Sequence, residues 1–246
     1  GGNGGSDDAD IDAPEAWDIT AGSTEIVVGV MDSGIRYTHQ DLKERMWVNE
    51  DEIPSNGVDD DNDGYIDNIY GINGVTGSGD PMDNIGHGTH VAGTIAAAAN
   101  DGNPHVGVAW NVRVIALKCG DFAISRSAQV AGVEFAVNEG IRVINGSFGG
   151  YSYSQTMFDT FQAGGDAGII YSFSAGNDTN DNDQIPVYPA GYDLESIISV
   201  AATDRNDVIA GFSSYGKVSC DLAAPGLDIY SCGIAGDDAY NTQSGT

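Results

Sequence analysis

Apolar runs that fail to alternate, set between segments of helical spacing, constrain this chain most. Residues 25–31 (EIVVGVM), 112–118, 141–144, 168–174 and 196–202 are such runs. A strand with one wet face alternates apolar and polar residues; a run without alternation predicts a strand buried on both faces. Residues 88–99, 127–138 and 155–162 have the composition or spacing of helices, and Gly140 follows the second as a stop signal. The order strand, helix, strand predicts an α/β fold: an open, mostly parallel, doubly wound sheet with helices on both faces. Residues 49–86 read as loop, rich in Asp, Asn and Gly. In a sheet of this kind functional groups collect beyond the carboxyl ends of the strands. Asp32, the segment 145–150 and Asn177 each follow one of the runs, so all three are expected at one sheet edge.

The 246 residues suffice for one large domain with a substantial core. Residues 1–10 (GGNGGSDDAD) read as a flexible lead-in, and 11–246 as a single domain. The chain does not begin with Met, and its start is expected to be a cut or a processing site. Nine basic against 37 acidic residues give a net charge of −28. That charge repels nucleic acid and anionic membrane surfaces, so neither is an expected partner. The apolar run 91–99 is far too short to cross a bilayer. Three cysteines (Cys119, Cys220, Cys232) form no CxxC pair and allow one internal disulfide at most.

Each chemical signal is weak alone. Asp32 after a buried strand can bind a ribose, orient a histidine or sit in a solvated turn. No GxGxxG follows it, which argues against a dinucleotide site. His87, between Gly86 and Gly88 at the head of a predicted helix, can be a cap, a metal ligand with His90, or a base that another group approaches closely. Asn177 in Ser174-Ala175-Gly176-Asn177 can be a turn residue or a donor to a developing oxyanion.

Taken together, the order Asp, His, Asn and the segment His87-Gly88-Thr89-His90-Val91-Ala92-Gly93-Thr94 resemble the subtilisin-like serine proteases, the subtilase family. Asn145-Gly146-Ser147-Phe148-Gly149-Gly150, Phe212-Ser213-Ser214-Tyr215-Gly216, Ala223-Ala224-Pro225-Gly226 and the closing Ser244-Gly245-Thr246 add to the likeness, which runs from about residue 11 to 246. The resemblance implies a secreted serine endopeptidase acting on extended peptide chains, monomeric and made with an N-terminal propeptide. It implies that Asp32 orients His87, that His87 is the general base, and that Asn177 donates to the oxyanion. The nucleophilic Ser is expected directly after Thr246, so residues 1–246 alone are expected to be inactive. Loss of that nucleophile in subtilisin itself costs ~10⁶ in kcat. Substrate is expected against Ser147, Phe148 and Gly149 on one side and 120–125 on the other. Ser174, Ala175 and Gly176 would floor a first pocket roomy enough for large apolar side chains. The rival reading is a non-catalytic calcium-binding scaffold that keeps the fold. The sequons at Asn145 and Asn177 fall in the expected cleft and are expected to be unmodified.

The run Asp59-Asp60-Asp61-Asn62-Asp63-Gly64-Tyr65-Ile66-Asp67 places carboxylates at alternate positions around a turn glycine. Asp59, Asp61, Asp63 and the carbonyl of Tyr65, completed by Asp67 or Glu52, are expected to hold Ca²⁺. The twelfth position is Tyr70 rather than Glu, so this is not a full EF-hand loop. A weaker calcium candidate, suggested by the family resemblance, joins Asp41 to the loop 100–103.

Overall fold

The computed structural model describes residues 10–246. The expected lead-in falls almost wholly outside them. Chain contacts divide the molecule into two units. One unit holds residues 22–145 and 231–241; the other holds the stretch up to Ala21, 146–230 and 242–246.

Helix α1 (Ala13–Trp17) is a short turn entered through Pro14. In the first unit, β1 (Val27–Asp32) lies parallel to its neighbours, and β2 (Gly71–Asn73) forms the edge. Helix α2 (His87–Ala96), β3 (Arg113–Lys118), α3 (Arg126–Asn138) and β4 (Val143–Gly146) complete the pattern, with strands ordered β2-β3-β1-β4. Consecutive residues of a strand face opposite sides. Val28 and Val30, with Val114 and Ala116 beside them, pack on one face against Ala92 and Ala96 of α2. On the other face Met31 and Leu117 lie against Gly132 of α3. Both faces of β1 are thus covered, the condition that a run without alternation predicts.

In the second unit, α4 (Gln155–Asp166) covers β5 (Ile170–Ser174), which pairs in parallel with β6 (Ile197–Thr203) and then β7 (Leu222–Pro225). Phe161 of α4 meets Tyr171 and Phe173 edge-on at centroid distances of 5.1 and 5.0 Å. Strands β8 (Ile229–Cys232) and β9 (Tyr240–Gln243), with residues 231–232 and 240–241 in the first unit, form a ribbon separate from the main strands.

Three elements differ from the sequence reading for physical reasons. Strand β2 lies inside the stretch read as loop. It has only three residues, and Gly71, at φ +124°, hides its pattern. Helix α2 stops at Ala96 rather than 99. Carbonyls of its last turn bond the amides of Val108 and Ala109 instead, and Ala97 turns extended. Helix α4 continues past 162 through Gly164 and Gly165. A side chain at Gly165 would collide with Ser196, so this glycine serves close packing rather than termination.

Gly71 tests the edge strand. A Cβ there would overlap the carbonyl of Ala116, at a φ that L-residues avoid. Gly71→Ala is expected to lower stability by about 2–4 kcal/mol in urea denaturation.

Candidate functional site

Asp32 is the last residue of β1 and is 3% exposed. His87 is the first residue of α2, and its ring is half-exposed. Fifty-five positions apart in sequence, they meet directly: His87 Nδ1 lies 2.8 and 2.9 Å from the carboxylate oxygens of Asp32. In the neutral ring Nδ1–H donates to the carboxylate, which leaves Nε2 with the lone pair. That is the tautomer a general base needs. The amide of Ser33 also donates to Asp32 Oδ1, at 2.7 Å.

The contact requires glycine at position 88. A Cβ there would overlap the carbonyl oxygen of Gly34 and come within 3.0 Å of the Asp32 Cβ. The expected flanking role of glycine therefore has a concrete cause, the approach of one backbone to another.

The pKa of His87 is raised above the ordinary histidine value. The hydrogen bond to Asp32 is the largest cause; burial opposes it, and the charges of Asp32 and Asp83 add to it. Because the folded value is raised, the Asp32–His87 contact stabilises the fold fully below the ordinary histidine pKa. The contribution is lost as pH rises through the raised value.

Asn177 follows β5 in the other unit and is exposed. Its Oδ1 accepts from the amide of Thr246 at 3.0 Å and from the Thr246 hydroxyl at 3.1 Å. The amide of Gly176 donates back to that hydroxyl, at 3.1 Å. With Oδ1 engaged in this way, Nδ2 remains as the donor of the side chain. Thr246, read from the sequence only as the residue before the expected serine, thereby orients Asn177.

Of the residues read as a first pocket, Ser174 and Ala175 are buried at 7% and 0% exposure, so little of either side chain reaches a surface. Gly149 and Gly176 come to one place: a Cβ on either would meet Val187, at 2.8 and 3.6 Å. Ser147 and Phe148 are partly buried, and the Phe148 ring lies 6.0 Å from that of Phe173. Val187 carried no sequence signal beyond being apolar.

In the acidic loop, carboxylate oxygens of Glu52, Asp59 and Asp61 lie within 4.8 Å of one another. Asp63 turns to the amide of Tyr65 and to Asn68, at 2.8 and 2.7 Å. Its pKa is raised, chiefly by burial and then by the charges of Asp61 and Asp59, against its own hydrogen bonds. Asp67 is not among the three clustered carboxylates. Its carboxylate accepts from the amides of Asn56 and Gly57. The Tyr65 ring packs on Phe135. Asp41 is wholly buried beside His39 and Cys232, and takes hydrogen bonds from Tyr240 and Asn103. All three cysteines are free thiols.

An α/β fold with a carboxylate at the end of a parallel strand, bonded to an imidazole at the start of a helix, offers an oriented base of the kind hydrolases use. Comparison with known proteins makes the class specific. The family model described as "Subtilase family" matches residues 23–246, and the chain belongs to the subtilase family. "Subtilisin-like protease 1" of Plasmodium berghei (strain Anka) is 33% identical over 93% of this chain and 41% of that protein. "Subtilisin DY" of Bacillus licheniformis is 35% identical over 90% of this chain and 71% of that protein. A solved structure titled as proteases from Pseudoalteromonas arctica superposes with a TM-score of 0.75 at 27% identity, covering 95% of this chain and 76% of that one. A cold-adapted subtilisin-like serine proteinase gives a TM-score of 0.69, also at 27% identity, covering 89% of this chain and 69% of that one. The chain spans 34–41% of the length of the Plasmodium relatives it matches.

Gly88→Ala is expected to push His87 away from Asp32. The His87 pKa should then fall toward its ordinary value, followed by NMR titration of the imidazole protons.

Proposed function

We propose that this chain is the catalytic part of a secreted, subtilisin-like serine endopeptidase that cuts extended protein substrates. The direct contact of His87 Nδ1 with Asp32 carries the reading. In it, a serine directly after Thr246 attacks the scissile carbonyl. His87 Nε2 takes the serine proton and returns it to the leaving amine, while Asp32 steadies the imidazolium. The Asn177 side-chain amide donates to the oxyanion of the tetrahedral intermediate. An N-terminal propeptide and a monomeric state belong to the same proposal. Secretion is supported by kinship to the bacterial subtilisin above. Among the described residues, no helix is long and apolar enough to cross a membrane.

Substrate would run along Ser147-Phe148-Gly149, with its P1 side chain over Ser174, Ala175 and Gly176. A large apolar P1 is proposed, with Val187 setting the depth because its methyls lie against both Gly149 and Gly176. In a peptide library, Phe or Leu is expected at P1 over Lys or Gly. Val187→Ala should favour the bulkiest residues further.

Calcium binding is proposed at the acidic loop, where oxygen donors alone converge. Glu52, Asp59 and Asp61 would supply carboxylates, with Asp63 and the Tyr65 carbonyl nearby. The ion would offset the mutual repulsion of these acids. Asp41 fits a hard cation less well, because its cluster includes His39 and Cys232. Excess chelator is expected to lower the melting temperature by several degrees, an effect that Asp59→Asn combined with Asp61→Asn should abolish.

The central test is labelling by a fluorophosphonate of the chain extended past Thr246. Labelling that His87→Ala abolishes supports the protease. Absence of labelling would favour the non-catalytic scaffold. Asn177→Ala should lower kcat by ~10²–10³, the size known for the corresponding donor in subtilisin itself.

A further inference from the structure

Asp83 lies four residues before His87 and is 3% exposed. Five donors converge on its carboxylate. Oδ1 accepts from the Ser33 hydroxyl at 2.9 Å and from the amides of Ile85 and Gly86 at 2.8 and 2.9 Å. Oδ2 accepts from the amide and hydroxyl of Thr89, at 3.0 and 2.6 Å. A buried carboxylate without such donors would be strongly destabilising. The fold has instead gathered them from both sides of the Asp32–His87 pair.

The links reach both members. Ser33, whose hydroxyl donates to Asp83, directly follows Asp32, and that same hydroxyl accepts from the amide of Gly88 at 3.0 Å. Gly88 directly follows His87, and Gly86, also held by Asp83, directly precedes it. The two residues that flank His87 and the one that follows Asp32 are therefore tied to one carboxylate. Helix α2 has no side-chain cap of its own: its N-cap is Gly86, in a left-handed conformation. Its first-turn amides are satisfied from outside, at Gly88 by Ser33 and at Thr89 by Asp83. The neighbouring turn is pinned as well, because the amide of Ile35 donates to the carbonyl of Pro81 at 3.1 Å.

We propose that Asp83 is a positioning residue for catalysis: through Ser33 and the first turn of α2, it holds the backbones of Asp32 and His87 at the separation their contact requires. The inference rests on the protease reading and extends it. Asp83 touches neither substrate nor the reacting atoms; it acts through the pair. A secondary consequence is electrostatic. The ionisable groups acting on His87 are Asp32 from β1 and Asp83 from the preceding loop, and both raise its pKa.

Asp83→Asn keeps the side-chain shape but sets an amide NH₂ against donors. In the chain extended to include the serine after Thr246, kcat is expected to fall by ~10–100-fold, the scale of a small misplacement at a reacting centre. KM should stay within about twofold, since the interaction is not with bound substrate. The His87 pKa, read by NMR in the same variant, should fall, and the low-field Nδ1 proton should weaken. Ser33→Ala, which cuts the relay but keeps the carboxylate, is expected to lower kcat in the same way and by less; it carries the test where Asp83→Asn does not fold. Should both variants melt earlier yet keep kcat and the His87 signal, Asp83 is merely structural and the inference is overturned. A loss confined to KM overturns it too. If the unsubstituted extended chain neither reacts with fluorophosphonate nor cleaves peptide, the protease reading fails first and takes this inference with it.

Discussion

One close approach organises the candidate site: the first turn of α2 lies against the end of β1 with no side chain between them. Gly88 makes it possible, because even a methyl group there would overlap the carbonyl of Gly34. The approach brings an imidazole to a buried carboxylate at hydrogen-bond distance. The pair is then coupled to the fold. The same bond that selects the tautomer also raises the histidine pKa, so orientation and proton affinity have one origin.

The sheet supplies the rigidity. Strand β1 is flanked by β3 and β4, and its two faces are covered by α2 and by α3. Burial of its apolar side chains stabilises the strand by roughly 1.5–3 kcal/mol each. A strand so enclosed ends at a defined point, and Asp32 sits at that point. The hydrogen bonds around Asp83 and Ser33 continue this order beyond the strand end, where backbone groups would otherwise lack partners.

Much of this was legible in the sequence because the signals are local. Non-alternating runs announced β1, β3 and β5, and the glycines around His87 announced a close approach. What escaped was set by distant partners. Strand β2 is three residues paired with β3, with no period to read. The end of α2 was decided by the amides of Val108 and Ala109. Among the acids of the 59–67 loop, spacing alone could not separate Asp59 and Asp61, which converge with Glu52, from Asp67, which caps the turn at Asn56 and Gly57. Nor did Asp83 stand out, since an acid ahead of a helix is ordinary.

The sequence by itself determined the class of fold, the residues at strand ends and the family. Each of these depends on patterns that a few neighbouring residues carry: side-chain period, turn glycines and a short run of motif residues. Tertiary structure decided how the polar groups share hydrogen bonds. It set residues 32 and 87, a pair that the family resemblance implies, at bonding distance, and it alone gathered five donors on Asp83 and set Thr246 against Asn177. Such contacts form only when a folded backbone closes long loops, and no local pattern encodes where those loops will meet.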